Sequence, residues 1–192
     1  MKVVILYPGR FQPFCIHHAK AYLFLCMMFG KDNVYVITSN NTSNPDSPLN
    51  FYEKKELIGK HVPMDKIIQV KSPYKATEVL TKFNLENTIC IFSYSYKDAG
   101  RITYDKVDGS PGYFKPFTTI LDCEPASKNG YILVLPQYRI IVNGREVSGT
   151  HARYLIRNII TKDPQSSNNI SLFRKLMGWY DKTLYNKIID KI

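Results

Sequence analysis

Short β-branched runs recur along this chain, each followed by a segment of helical length, and that alternation limits the fold more than any single residue does. Val3–Tyr7, Asn33–Thr38 ("NVYVIT"), Lys66–Val70 ("KIIQV") and Thr88–Ser93 ("TICIFS") are four such runs. Between them lie an apolar stretch, His17–Phe29, closed by Gly30 as a C-cap signal, and a helix from Asn50 to about Gly59. Asn50 and Glu53 have the spacing of a capping box. A third helix is expected from Ser72-Pro73 to about Phe83, because proline suits the first helical position. A strand that returns parallel to its neighbour needs a crossover of a dozen or more residues, usually a helix. The pattern therefore predicts an α/β, Rossmann-like doubly wound parallel sheet with C-terminal helices.

Tyr94–Lys128 breaks the rhythm with Gly100, Gly109, Pro111, Gly112, Pro116 and Pro125. A segment that long without periodicity is usually functional, so it is expected to cover the substrate side of a cleft and to be less ordered than the sheet. "YRIIVNGREVS" reads as a hairpin around Asn143-Gly144. Helices are expected at about His151–Ile160, Ser171–Met177 and Asp181–Ile192. Residues 1–160 are read as one α/β domain and 161–192 as a helical extension packed on it. The net charge of +10 favours anionic partners such as nucleotides, nucleic acid or anionic lipid. Of the four cysteines, Cys15, Cys26, Cys90 and Cys123, no two form a C-x-x-C pair, so no metal site is expected. No apolar stretch approaches the roughly 20 residues that span a bilayer. The N-terminus lacks a signal-peptide core, and a cytoplasmic location follows as the expectation (the host's cytoplasm, if the chain is viral).

Two strand-to-helix junctions carry the chemistry. The first is "YPGRFQPFCIHHAK", residues 7–20. Ligands of doubly wound sheets bind at the carboxyl ends of strands, and a helix N-terminus offers free N–H groups and a positive dipole end to phosphate. Arg10 adds a planar fork suited to phosphate oxygens. His17 and His18 fall at the helix start, where they are either ligands or a solvated capping pair. Neighbours on a helix point in different directions, so at most one is expected to face a site. The second junction is "VSGTHAR", residues 147–153. Ser148 and Thr150 bring hydroxyls, Gly149 permits close approach to the backbone, and Arg153 lies one turn in, able to reach back. The alternative is an ordinary Ser/Thr N-cap beside a surface arginine.

"GRFQPFCIHH" followed much later by "VSGTHAR" resembles the HIGH-motif nucleotidylyltransferase superfamily. Within it, "GRFQPF" is most similar to nicotinamide mononucleotide adenylyltransferases of the archaeal type. Phage-encoded, cytidylyltransferase-like members are similar as well, through "DGSPGYF" and "FRKLMGWYD". The resemblance implies the superfamily's nucleotidyltransferase fold over residues 1–160. It implies transfer of a nucleoside monophosphate, AMP from ATP, to a phosphate-bearing acceptor such as nicotinamide mononucleotide, with Mg²⁺ accompanying the triphosphate. Carried over by position, His18, Arg153 and Arg10 are the catalytic residues. Gly9, Arg10, Phe11, Cys15, His18, Ser148, Gly149, Thr150 and Arg153 hold the nucleotide. The resemblance also implies small-molecule partners and allows a homo-oligomer. Membrane and nucleic-acid partners are not expected.

This chain departs from the family pattern at two positions. Cys15 stands where the family has its first histidine, and His17 stands where it has glycine. "FSYSYKD" also lacks the Gly-Asp/Glu start expected after the fourth strand. The readings are an active nucleotidylyltransferase, a degenerate member kept as a nucleotide-binding, structural or virion protein, and a nucleic-acid binder. The third lacks the K-M-S-K-S-like loop of a synthetase. Pyrophosphate release from a triphosphate separates the first two.

Overall fold

The computed structural model describes every residue except Ser43, Ala76 and Arg101, and except the side chains of Lys75 and Thr77. Four strands form where the β-branched runs lie: β1 (Lys2–Pro8), β2 (Val34–Ser39), β3 (Ile67–Val70) and β4 (Thr88–Tyr94). Two more, β5 (Phe114–Pro116) and β6 (Gly130–Val134), extend the sheet beyond β4. The order is β3-β2-β1-β4-β6-β5 and every pairing is parallel. Both faces are covered, which is why β1 and β4 read as nearly unbroken apolar runs. Ile5, Tyr7, Ile89 and Ile91 enter one core, while Val4, Leu6, Cys90 and Phe92 enter the other. This odd-even split is the period of two of a strand.

Helix α1 (Ile16–Phe29) crosses from β1 to β2, and α2 (Phe51–Ile58) from β2 to β3. Asn50 caps α2 as its spacing predicts: its side chain accepts from the Glu53 N–H at 3.0 Å, and the Glu53 carboxylate accepts from the Asn50 N–H at 2.7 Å. The third expected helix is much shorter. A 3₁₀ turn at Pro73–Lys75 precedes a single α turn, α3 (Thr77–Leu80), and Ala76 between them lies outside the described residues. Thr81 ends it by donating to the Glu78 carbonyl at 2.7 Å, a local bond that competes with helix propagation.

Within 94–128 the chain forms α4 (Tyr96–Ala99) and then β5, so part of the segment expected to be irregular is a sheet edge. β6 was not anticipated. "GYILV" is a short apolar run between Gly130 and Pro136, too short and too close to the hairpin to stand out. The hairpin, β7 (Ile141–Val142) and β8 (Arg145–Glu146), turns through Asn143 and Gly144 with φ of +48° and +71°, as a type I′ turn requires. Helices α5 (Gly149–Asn158), α6 (Ser167–Met177) and α7 (Lys182–Ile189) follow. α6 starts four residues earlier than its periodicity suggests. These three share one core, Val147, Ala152, Leu155, Ile156, Phe173, Leu176 and Tyr185 among its members, and Cys15, Leu49 and Leu57 from the sheet's first half belong to it too.

Candidate functional site

The strand order reverses where β1 lies between β2 and β4, and β1 runs from there straight into the first motif. Phe11 follows with φ of +47°, a conformation rare for an aromatic residue. Its buried ring packs against Tyr7, Phe14 and His18, with centroids 5.4, 5.0 and 5.1 Å away. Gly9 is half-buried because that ring leaves no room: a Cβ there would sit 2.5 Å from Phe11.

The Arg10 side chain is exposed, and it is the Arg10 carbonyl that is held. Thr38 Oγ1 and Lys54 Nζ each donate to it at 3.3 Å. Lys54 is 1% exposed and also donates to Thr38 Oγ1 at 3.0 Å and to the Ser39 carbonyl. All three acceptors are neutral, and burial lowers the Lys54 pKa to about 8. Gln12 is buried as well. Its amide donates to the Leu49 carbonyl at 2.7 Å and accepts from the Leu49 N–H at 3.0 Å, which ties the 40–50 loop to the motif.

At the start of α1, the Cys15 N–H donates to His18 Nδ1 at 2.9 Å. The neutral ring therefore carries its proton on Nε2, a donor. Burial holds the His18 pKa well below its usual value, and the neighbouring His17 adds to this. His17 is lowered to about 4, again by burial, with Glu146 opposing. The two rings lie 3.8 Å apart, tilted by 39°, rather than on different faces. His17 Nδ1 is buried without a partner among the described residues. Cys15 is fully buried, and burial pushes its thiol up to about 12 against the pull of Arg153.

The second motif arrives on α5. Ser148 is its N-cap and accepts from the His151 N–H at 3.1 Å, so the ordinary capping reading holds for this serine. It fails for Arg153, which is 8% exposed. Its Nη1 donates to the Gln12 carbonyl at 2.6 Å, its Nη2 to Asp46 at 3.1 Å and weakly to Thr150 Oγ1 at 3.5 Å. Its Nε is buried with no partner among the described residues. Gly149 permits a close approach, but of the other motif: a Cβ there would stand 3.2 Å from the Gln12 carbonyl. Ser148 and Thr150 are exposed at the rim. Two helix N-termini thus meet over Gln12.

Asp46, Gln12 and Lys54 were missed by sequence reasoning. Lys54 carried a signal, since it sits at helical spacing with Phe51, Leu57 and Ile58 on the buried face of α2.

No protein-family model matches the chain, and no curated protein matches it. Solved structures do. A nicotinic acid mononucleotide adenylyltransferase of Plasmodium falciparum, complexed with APC, superposes with a TM-score of 0.54 at 13% identity, covering 99% of this chain and 96% of that one. Its complex with NaAD gives 0.54 at 12%. The fold is that of the mononucleotide adenylyltransferases. A bifunctional NMN adenylyltransferase/ADP ribose pyrophosphatase of Francisella tularensis, complexed with AMP and a manganese ion, superposes with a TM-score of 0.52 at 16% identity over 99% of this chain. The chain spans 52% of that enzyme's length. The two motifs lie at the starts of α1, which follows the carboxyl end of β1, and of α5, and Arg153 joins them through Gln12.

Proposed function

We propose that this chain is a nucleotidylyltransferase. It transfers AMP from ATP to a phosphate-bearing acceptor such as nicotinamide mononucleotide and releases pyrophosphate. The observation that carries the reading is Arg153, a buried guanidinium with a free Nε, held by Gln12 where two helix N-termini converge. Such a junction suits a polyphosphate, because each helix start presents unbonded N–H groups and partial positive charge.

An oxygen of the acceptor phosphate attacks the α-phosphorus in line. The bond to the β-phosphate breaks, and pyrophosphate leaves with the electron pair. The attacking oxygen is already anionic, so no general base is needed and positioning dominates the rate. His18 Nε2–H donates to a phosphate oxygen without the ring being charged. Arg153 neutralises charge building on the leaving group, and the exposed Arg10 swings over the triphosphate from outside. Gly9 and Phe11 shape the loop beneath it, Ser148, Gly149 and Thr150 form its far rim, and Cys15 packs below.

Mg²⁺, when bound, neutralises triphosphate charge. The residues present do not form a cage for it. Asp46, the carboxylate at the junction, is engaged with Arg153. The one group of three or more ligand-capable side chains among the described residues has sulfur and nitrogen donors, which suit softer metals. A magnesium ion would ride on the nucleotide's own oxygens. No described helix is long and apolar enough to cross a membrane, and a cytoplasmic setting belongs to this proposal.

A degenerate nucleotide-binding protein is the second reading, favoured by the buried Cys15 and by the His17 ring lying 3.8 Å from that of His18 at the first motif. A panel of triphosphates and phosphate acceptors, assayed with Mg²⁺ for pyrophosphate and for the joined product, decides between them. ATP-dependent release with a mononucleotide supports the enzyme. If neither the wild type nor Cys15→His combined with His17→Gly releases pyrophosphate with any acceptor, the catalytic reading is wrong.

A further inference from the structure

The substitutions that depart from the family motif place three soft metal donors side by side. Ligand atoms of Cys15, His17 and His18 all lie within 4.8 Å of one another. Tetrahedral zinc holds sulfur at about 2.3 Å and imidazole nitrogen at about 2.0–2.1 Å, which sets ligand-to-ligand edges of roughly 3.3–3.6 Å. The donors therefore lie within an ångström or so of those edges, a difference that small imidazole rotations close. One further observation points to a ligand here. His17 Nδ1 is buried with its lone pair or proton unused among the described residues.

We infer that Cys15, His17 and His18 form a three-ligand site for a thiophilic divalent cation of the zinc class, with its fourth position open. The spacing is C-x-H-H at a helix start, where the thiol at the N-cap and the rings of the helix's second and third residues converge. His18 joins by releasing the Cys15 N–H that its Nδ1 now accepts. The thiol proton leaves to solvent as the metal–sulfur bond forms. Cys15 is fully buried while both histidines are half-buried, so the ion enters from the histidine side. Three protein ligands with an open fourth position is the arrangement of sites that keep a water or substrate atom on the metal. This site stands without the nucleotidyl-transfer reading, since it uses only side chains already adjacent.

The test is cobalt substitution of the full chain in the absence of nucleotide. Co²⁺ titrated into the reduced protein should saturate at one equivalent and give a thiolate-to-metal charge-transfer band, reversed by added Zn²⁺. Cys15→Ser should abolish the band. His17→Gln should weaken Co²⁺ binding by more than about tenfold, the lower end of what losing even an orienting partner costs. Cys123→Ser and Cys26→Ser should leave the titration unchanged. Circular dichroism of each variant shows whether it has folded, and His17→Gly, the family's own residue, is the second variant should His17→Gln not fold. No thiolate band, a band that survives Cys15→Ser, or affinity unchanged in both His17 variants would overturn the site. Pyrophosphate release plays no part in these readouts, so failure here leaves the proposed reaction untouched, and the reverse also holds.

Discussion

Arg153 ties α5 to the first motif through Gln12 and Asp46, and its Nε is buried without a partner among the described residues. If the proposed transfer is the reaction, Arg153→Ala should lower turnover by about 10²–10³-fold, the typical cost of losing one preorganised charged donor. Cys15→Ala should lower it little, since a neutral thiol is a weak donor. Steady-state kinetics with saturating ATP checks both, and equal losses would remove Arg153 from its role. Lys54 offers a pH test. Burial lowers its folded pKa to about 8, whereas an unfolded lysine titrates at about 10.4. Between those values the unfolded chain binds the extra proton, so stability rises with pH through that window and is flat, for this group, below it. The denaturation midpoint of the wild type should therefore gain on that of Lys54→Met from about pH 7.5 to about pH 9.5. A constant difference would mean that Lys54 is not desolvated.

At the scale of elements, short helices here depend on their ends. α2 is eight residues long, too short to be stable from propensity alone. Its capping box and the buried Phe51, Leu57 and Ile58 hold it in place, and it carries Lys54 to the Arg10 carbonyl. Asn50→Ala should cost about 1 kcal/mol, the usual value of an N-cap side chain, read as a shift in the urea midpoint. α3 shows the opposite case. Among its described side chains Val79 and Leu80 are buried, and the Thr81 hydroxyl takes the Glu78 carbonyl, so the turn does not propagate to the expected end at Phe83.

At the scale of the molecule, the C-terminal helices and the sheet's first half are one packing unit, because Cys15, Leu49 and Leu57 lie in the same core as Phe173 and Tyr185. Phe173 is fully buried and edge-on to Trp179 and Tyr185, with centroids 5.4 and 4.8 Å away. Phe173→Ala should cost about 3–5 kcal/mol. It should do so in one cooperative unfolding transition seen alike by tyrosine fluorescence and circular dichroism. Two separated transitions would mean that residues 161–192 fold as a separate unit.

Most of the sheet was legible because a parallel strand buried on both faces must be apolar through its middle, and Val3–Tyr7 and Ile89–Phe92 are. The α2 cap and the Asn143-Gly144 turn were legible because both are local chemistry, closed within four residues. The two candidate motifs could be picked out from Arg10, His18, Ser148 and Arg153 alone, because each sits at an expected helix start. What the sequence could not supply was proximity. Asp46, Gln12 and Lys54 reach the site only because the order β3-β2-β1-β4 sets the loop after β2 beside the loop after β1. β6 and the edge strand β5 likewise owe their pairing to a neighbour distant in sequence. The 3.8 Å approach of the His17 and His18 rings, tilted by 39°, is set by side-chain torsions, and helical periodicity, which counts only backbone directions, places them apart.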